Sequence, residues 1–133
     1  IDEMIVSLGL EGAVRIINKK ECAFNELIEG AALVVVPEQW ENMSPVLMFE
    51  CVLGAVPVVL SRIGGIPEFI ADERFLAIYD NPEDWVNKIL WVLNHPGDAK
   101  RAMAEEIKPR VLKMIDIKKN TNKLIGMYKN SNE

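Results

Sequence analysis

At 133 residues, half of them hydrophobic, the chain holds enough apolar material for one core and has the size of a single domain, 1–133. A formal charge of −5 argues against nucleic acid as the main partner, and Cys22 and Cys51 have neither metal-ligand spacing nor a disulfide framework. The opening Ile-Asp-Glu-Met carries no signal-peptide pattern and the longest apolar run is too short to span a bilayer, so a soluble, cytoplasmic protein is expected.

In chain order, Ile1, Met4, Ile5 and Leu8 share one face and predict an amphipathic helix over 1–10, ending at Gly9 or Gly12. Residues 13–17 read as a β-branched strand, followed by the polar loop Asn18-Lys19-Lys20-Glu21. Phe24, Leu27 and Ile28 mark a short helix that stops near Gly30. Residues 31–36 form an uninterrupted apolar strand closed by Pro37, a run typical of parallel sheets covered on both faces. A helix from Ser44 and Pro45 comes next, then a strand over 56–60, a turn at Gly64-Gly65, a short helix over 66–71 and a fourth strand over 75–79.

Asn81 or Asp80 is expected to cap the next helix, with Pro82, Glu83 and Asp84 in its first turn. Trp85, Ile89, Leu90, Val92 and Leu93 are its apolar face, and Asn94-His95-Pro96-Gly97 ends it. A second long helix is expected from Asp98, kinked or broken by Pro109, and a last one from Asp116 carrying Ile117, Leu124, Ile125 and Tyr128. Strands alternating with helices point to a parallel, Rossmann-like α/β sheet with helices on both faces and right-handed crossovers. An α/β unit that opens on a helix reads as truncated at its N-terminus, a fragment of something larger.

The helix after Pro45 is the centre of interest. From Pro45 to Leu60 the single charged residue is Glu50, so the segment reads as a helix buried on nearly all sides with one carboxylate inside it. A charge buried without hydrogen bonds costs roughly 2–7 kcal/mol or more. Glu50 must therefore neutralise, pair, or face a cleft where it binds something. Ser44 suits an N-cap and Pro45 a first helical position, and the free N–H groups of the first turn favour an anion. Glu50 lies about 7.5 Å along the axis. A phosphate at the helix tip, with a ribose accepted by Glu50, satisfies both features.

Ligands of open parallel sheets bind beyond the carboxyl ends of the strands. That rim should collect 18–21, 38–44, 61–68 and the helix tip. Glu38 and Glu41 would oppose phosphate charge at the helix tip, so a cation is expected nearby, with Lys19 and Lys20 as candidates. Charge is also uneven along the chain. Residues 1–98 hold 6 Lys and Arg against 16 Asp and Glu, a net −10, and residues 99–133 hold 9 against 4, a net +5. The basic tail is expected to lie against the acidic body; a peripheral contact with the inner membrane face is the alternative.

Trp40-Glu41-Asn42, Ser44-Pro45, Glu50, Pro57-Val58-Val59 and Gly64-Gly65-Ile66-Pro67-Glu68 together resemble the C-terminal, donor-binding half of retaining family 4 glycosyltransferases of the GT-B fold. The similarity runs over most of the chain. It implies a nucleotide-sugar substrate, a UDP- or GDP-hexose, with the hexosyl group transferred to an acceptor hydroxyl with retention and without a metal or other cofactor. It further implies that Glu50 holds the ribose, that an upstream glutamate contacts the sugar, and that backbone amides around Met43, Ser44 and Val46 bind the diphosphate. The family spaces its two glutamates eight apart. Here Glu41 is nine before Glu50 and Asn42 is eight, so either can make the sugar contact. Gly54, followed by Ala55, is shifted from the family's glycine before Pro-Val. In the similar enzymes an Arg/Lys pair and the acceptor site come from regions upstream of Ile1, so the isolated chain is expected to be inactive and to bind donor weakly.

The remaining conspicuous residues have structural readings. Glu68 is expected to cap its own helix, His95 to be a solvated loop residue, Trp85 and Trp91 to belong to the core or an interface, and Trp40 to pack. The rivals to a transferase are a non-catalytic nucleotide- or protein-binding domain using the same cleft, and an epimerase or phosphorylase of similar fold.

Overall fold

The computed structural model describes residues 1–18, 23–41 and 43–130. Lys19, Lys20 and Asn42 lie outside the described residues. Three parallel strands, β1 (Val34–Val36), β2 (Val58–Ser61) and β3 (Leu76–Ala77), form a sheet in the order β1-β2-β3. Val34 to Val36 pair with Val58 to Leu60, and Leu60 and Ser61 with Leu76 and Ala77. Successive strand residues face opposite sides, yet all four residues of β2 are 0 % exposed, so both sheet faces are covered at the central strand. This is the Rossmann-like arrangement expected from the alternating pattern, with strands shorter than the apolar runs that announce them.

Around the sheet stand α1 (Asp2–Ser7), α2 (Phe24–Gly30), α3 (Val46–Leu53), α4 (Ile66–Ile70), α5 (Pro82–Asn94), α6 (Pro96–Arg101), α7 (Lys108–Met114) and α8 (Ile117–Asn130). α3 packs on β1 and β2, and α5 on β2 and β3. Met48, Cys51 and Val52 of α3, Ile66 and Ile70 of α4, Phe75, Val92 of α5, and Met103, Ile107 and Val111 make up much of the core. No helix among the described residues is long and apolar enough to cross a membrane.

Local chemistry explains the boundaries. Asn81 caps α5 by accepting from the Asp84 N–H at 3.2 Å, and Asp84 in turn accepts from the Ile78 N–H at 2.8 Å. α6 begins at Pro96, two residues before the expected Asp98. A π-helical turn, Ala102–Ile107, joins it to α7. Pro109 has no N–H to give the preceding turn and its ring crowds the carbonyl four back, and the wider turn passes the break without ending the helix. Lys108 donates to the Leu53 carbonyl at 2.6 Å and Arg110 to the Glu68 carbonyl at 2.9 Å, so two basic residues of α7 close the negative ends of α3 and α4.

Several expectations are corrected. Residues 13–17 form no strand: they pair with none of the described strands, and Val14 and Ile16 are exposed. A β-branched run needs a strand edge to pair with, and the ladder among the described residues runs only from β1 to β3. α1 is shorter than 1–10, ending where Gly9 takes a left-handed φ of 65°. Ser44 is not the cap of α3. Pro45 occupies that place with an extended backbone, and the helix starts at Val46 with no side-chain cap. Nor is α3 buried all round, since Val46 is 71 % and Leu53 41 % exposed. Trp40 does not pack; it is 80 % exposed. The first part of the basic tail does meet the body, burying Ala99, Ala102, Met103, Ile107 and Val111, whereas α8 buries no residue.

Candidate functional site

The rim begins where β1 ends. Pro37 cannot extend the ladder, and the chain turns out of the sheet with the Glu38 N–H donating back to the Val36 carbonyl at 3.0 Å. The Glu38 carbonyl then accepts from Ser61 Oγ at 2.6 Å, which ties the loop to the last residue of β2. Glu41 and Met43 are exposed, and Ser44 is partly buried just ahead of the helix. After β2, Gly64 adopts φ 56° and Gly65 seats the other end of the loop: a Cβ built on Gly65 would lie 2.5 Å from the Met43 carbonyl oxygen. The close approach that a Gly-Gly pair permits is made here to the protein's own backbone.

α3 points its N-terminal turn at this rim. Val46, Glu50 and Leu53 fall four and three residues apart and form the outward stripe of the helix, opposite buried Met48, Cys51 and Val52. Residues four apart are neighbours on a helix surface, so the Glu50 carboxylate and the helix tip share one face. Glu50 is partly buried and lines a groove of about 300 Å³ between α2 and α3, together with Asn25, Ile28, Glu29, Leu53, Gly54 and Val56. Among the described residues Glu50 makes neither an ion pair nor a side-chain hydrogen bond. It lines the groove, and none of the described residues pairs with it. Beneath it Cys51 is fully buried, and burial, with Glu50 beside it, pushes its thiol up to about 11, a neutral packing group.

The structure thus gathers Met43, Ser44, Val46 and the loop bearing Glu41 at the rim, with Glu50 one turn down the helix. Lys19, Lys20 and Asn42 lie outside the described residues. Glu68 is exposed in the first turn of α4, whose N-cap is Gly65. His95 sits at the end of α5, away from this rim in the chain, with its ring stacked on Trp91 at 5.3 Å. A second hollow of about 280 Å³, lined by Glu29, Ala31, Pro57, Pro96 and Lys100 among others, opens near the amino ends of the strands. Sequence reasoning missed Asn25, which faces Glu50 across the groove, and Ser61. An apolar strand ending in serine just before a Gly-Gly turn was the one available signal for the latter.

A parallel sheet covered by helices, with a helix tip, a partly buried carboxylate and a Gly-Gly-x-Pro-Glu loop near its rim, defines a Rossmann-like α/β domain. Residues 1–110 match the family model described as glycosyl transferases group 1, and the chain belongs to that family. Membership connects it with glycosyl transfer between a sugar donor and an acceptor. No curated protein and no solved structure gives a significant match.

Proposed function

We propose that the groove beside α3 receives the nucleotide part of a UDP- or GDP-hexose, and that the protein transfers the hexosyl group to an acceptor hydroxyl with retention. The observation that carries this reading is Glu50: a partly buried carboxylate without a partner among the described residues, on the same helical face as the N-terminal turn of α3, which has no side-chain cap. Ribose hydroxyls would donate to Glu50. The diphosphate would accept from the backbone N–H groups near Met43, Ser44 and Val46, where the helix dipole also favours it. Glu41 or Asn42 would contact the sugar.

Transfer would then rest on positioning and on stabilising the departing diphosphate. Glu29, Glu38, Glu41 and Glu50 make the surroundings acidic, so the phosphates need a cation. Lys19 and Lys20, next in sequence to the groove, are the candidates within the chain, with an upstream domain as the other source and the supplier of the acceptor site. The same reading keeps the protein cytoplasmic. α8, with four Lys and no acidic residue, supports a peripheral contact with anionic lipid.

Calorimetric titration of UDP and GDP into the full-length protein tests the donor site. One nucleotide binds, and Glu50→Gln weakens it about 10- to 100-fold, the range for hydrogen bonds to a charged group. Binding of neither nucleotide, or equal binding by the variant, excludes the proposal.

A further inference from the structure

Ser61 is the one buried polar side chain of the described core, 0 % exposed at the end of a strand whose other members are aliphatic. An alanine there would need no hydrogen bond and would bury no hydroxyl. The hydroxyl instead donates across 23 residues of sequence to the Glu38 carbonyl at 2.6 Å, in a part-buried setting that limits competition from water. Four residues on, the Gly65 backbone supports Met43 too closely for any side chain. The rim loop is thus held at its two ends, Glu38 and Met43, by one short segment, 61–65. Between the two supports, Trp40 and Glu41 are exposed and contribute no packing of their own to fix the loop.

We infer that Ser61 is a positioning residue: its hydroxyl holds the loop that carries Glu41 over the tip of α3, and so sets the place of the sugar contact without touching substrate. The effect on donor use rests on the donor-site reading above; the tether itself does not. Gly65 supports only the Met43 end; at the other end the Glu38 N–H bond to the Val36 carbonyl turns the chain on its own strand, and the Ser61 hydroxyl is what ties it across to β2.

The test compares Ser61→Ala and the near-isosteric Ser61→Cys with wild type in the full-length protein, by amide hydrogen exchange and by steady-state kinetics with UDP- and GDP-hexoses. Exchange at 39–41 rises about tenfold in Ser61→Ala and to an intermediate level in Ser61→Cys, whose thiol is a weaker donor, while exchange in β1 to β3 stays within twofold. Donor KM rises about three- to tenfold in Ser61→Ala with kcat within twofold, as expected for one hydrogen bond that acts through a loop. Unchanged exchange at 39–41, or an equal rise throughout the sheet, overturns the inference. So does an unchanged donor KM in Ser61→Ala where Glu50→Gln still weakens nucleotide binding. Wild type that binds neither nucleotide removes the donor-site reading and the KM consequence, and the exchange comparison still decides the tether.

Discussion

Asp72 shows how single residues away from the rim stabilise the fold. Its carboxylate accepts from the Arg74 backbone N–H at 3.0 Å and from Arg74 Nε and a terminal guanidinium nitrogen at 2.9 and 2.6 Å, a forked, charge-assisted pair. Arg74 is itself fixed in orientation, lying over the Trp91 ring at 5.1 Å. Burial alone pushes the Asp72 carboxyl up, yet the Arg74 hydrogen bonds and charge outweigh it and hold the carboxyl below its usual range. A depressed acid stabilises the fold at any pH above the unfolded value, about 4, and that contribution is lost as pH falls through the folded value. Asp72→Asn is therefore expected to lose about 1 kcal/mol at pH 7, the figure allowing for solvent screening of a half-exposed arginine, a difference that shrinks at acid pH as the carboxyl protonates. Urea unfolding at neutral and acid pH checks it. Glu50 was legible because it is the lone charge in an apolar run. Asp72 and Ser61 were not: an Asp-Glu-Arg turn and a strand-end serine look alike whether or not the fold brings a partner to them.

Secondary-structure elements repeat the lesson at their ends. α3 finishes in a Schellman arrangement, with the Ala55 N–H on the Val52 carbonyl at 3.1 Å and the Val56 N–H on the Cys51 carbonyl at 2.9 Å. This geometry needs one left-handed residue. Ala55 takes it at φ 54°, and Gly54 sits one place too early at φ −76°. The shift of glycine from the place the resemblance implies is thus a real local conflict, carried by an alanine whose Cβ crowds its own carbonyl. Ala55→Gly should relieve about 1–2 kcal/mol of strain and give back part of it to the looser unfolded chain, for a net gain of about 0.5–1 kcal/mol. A rise of about 2–4 °C in melting temperature is the expected readout; a fall would mean the left-handed turn is unstrained. The helices were readable from periodicity, caps and prolines, as Asn81 and Pro82 at the start of α5 illustrate. The strand expected at 13–17 was not, because β-branching reports a preference for extended backbone and carries no information on whether a pairing edge is present.

At the scale of the molecule, the core is closed by elements from α2 to α7, with Ile28 the first and Val111 the last buried apolar residue among those described. The alternation of apolar strands and helices made this parallel architecture readable, since a strand covered on both faces cannot show the two-residue alternation of a half-exposed one. Which segments lie outside the core was less readable, because α8 has as regular an amphipathic pattern as α5. Ile117, Leu124 and Tyr128 are 81 %, 52 % and 69 % exposed, whereas Val92 of α5 is 1 % exposed. Periodicity states that a face exists, and burial depends on whether something meets it. In this chain the contacts of α8 with what precedes it include the Asp116 cap on the Lys119 N–H at 2.9 Å and the Asn120 side chain on the Met114 carbonyl at 2.9 Å. Such exposed local bonds stabilise a helix start by about 1 kcal/mol and do not couple it to a core. A chain ending at Asp116 is therefore expected to melt within about 2 °C of the 133-residue chain, with its far-UV helical signal reduced by the lost segment. A drop of 5 °C or more would show that the apolar stripe of α8 folds back onto the domain.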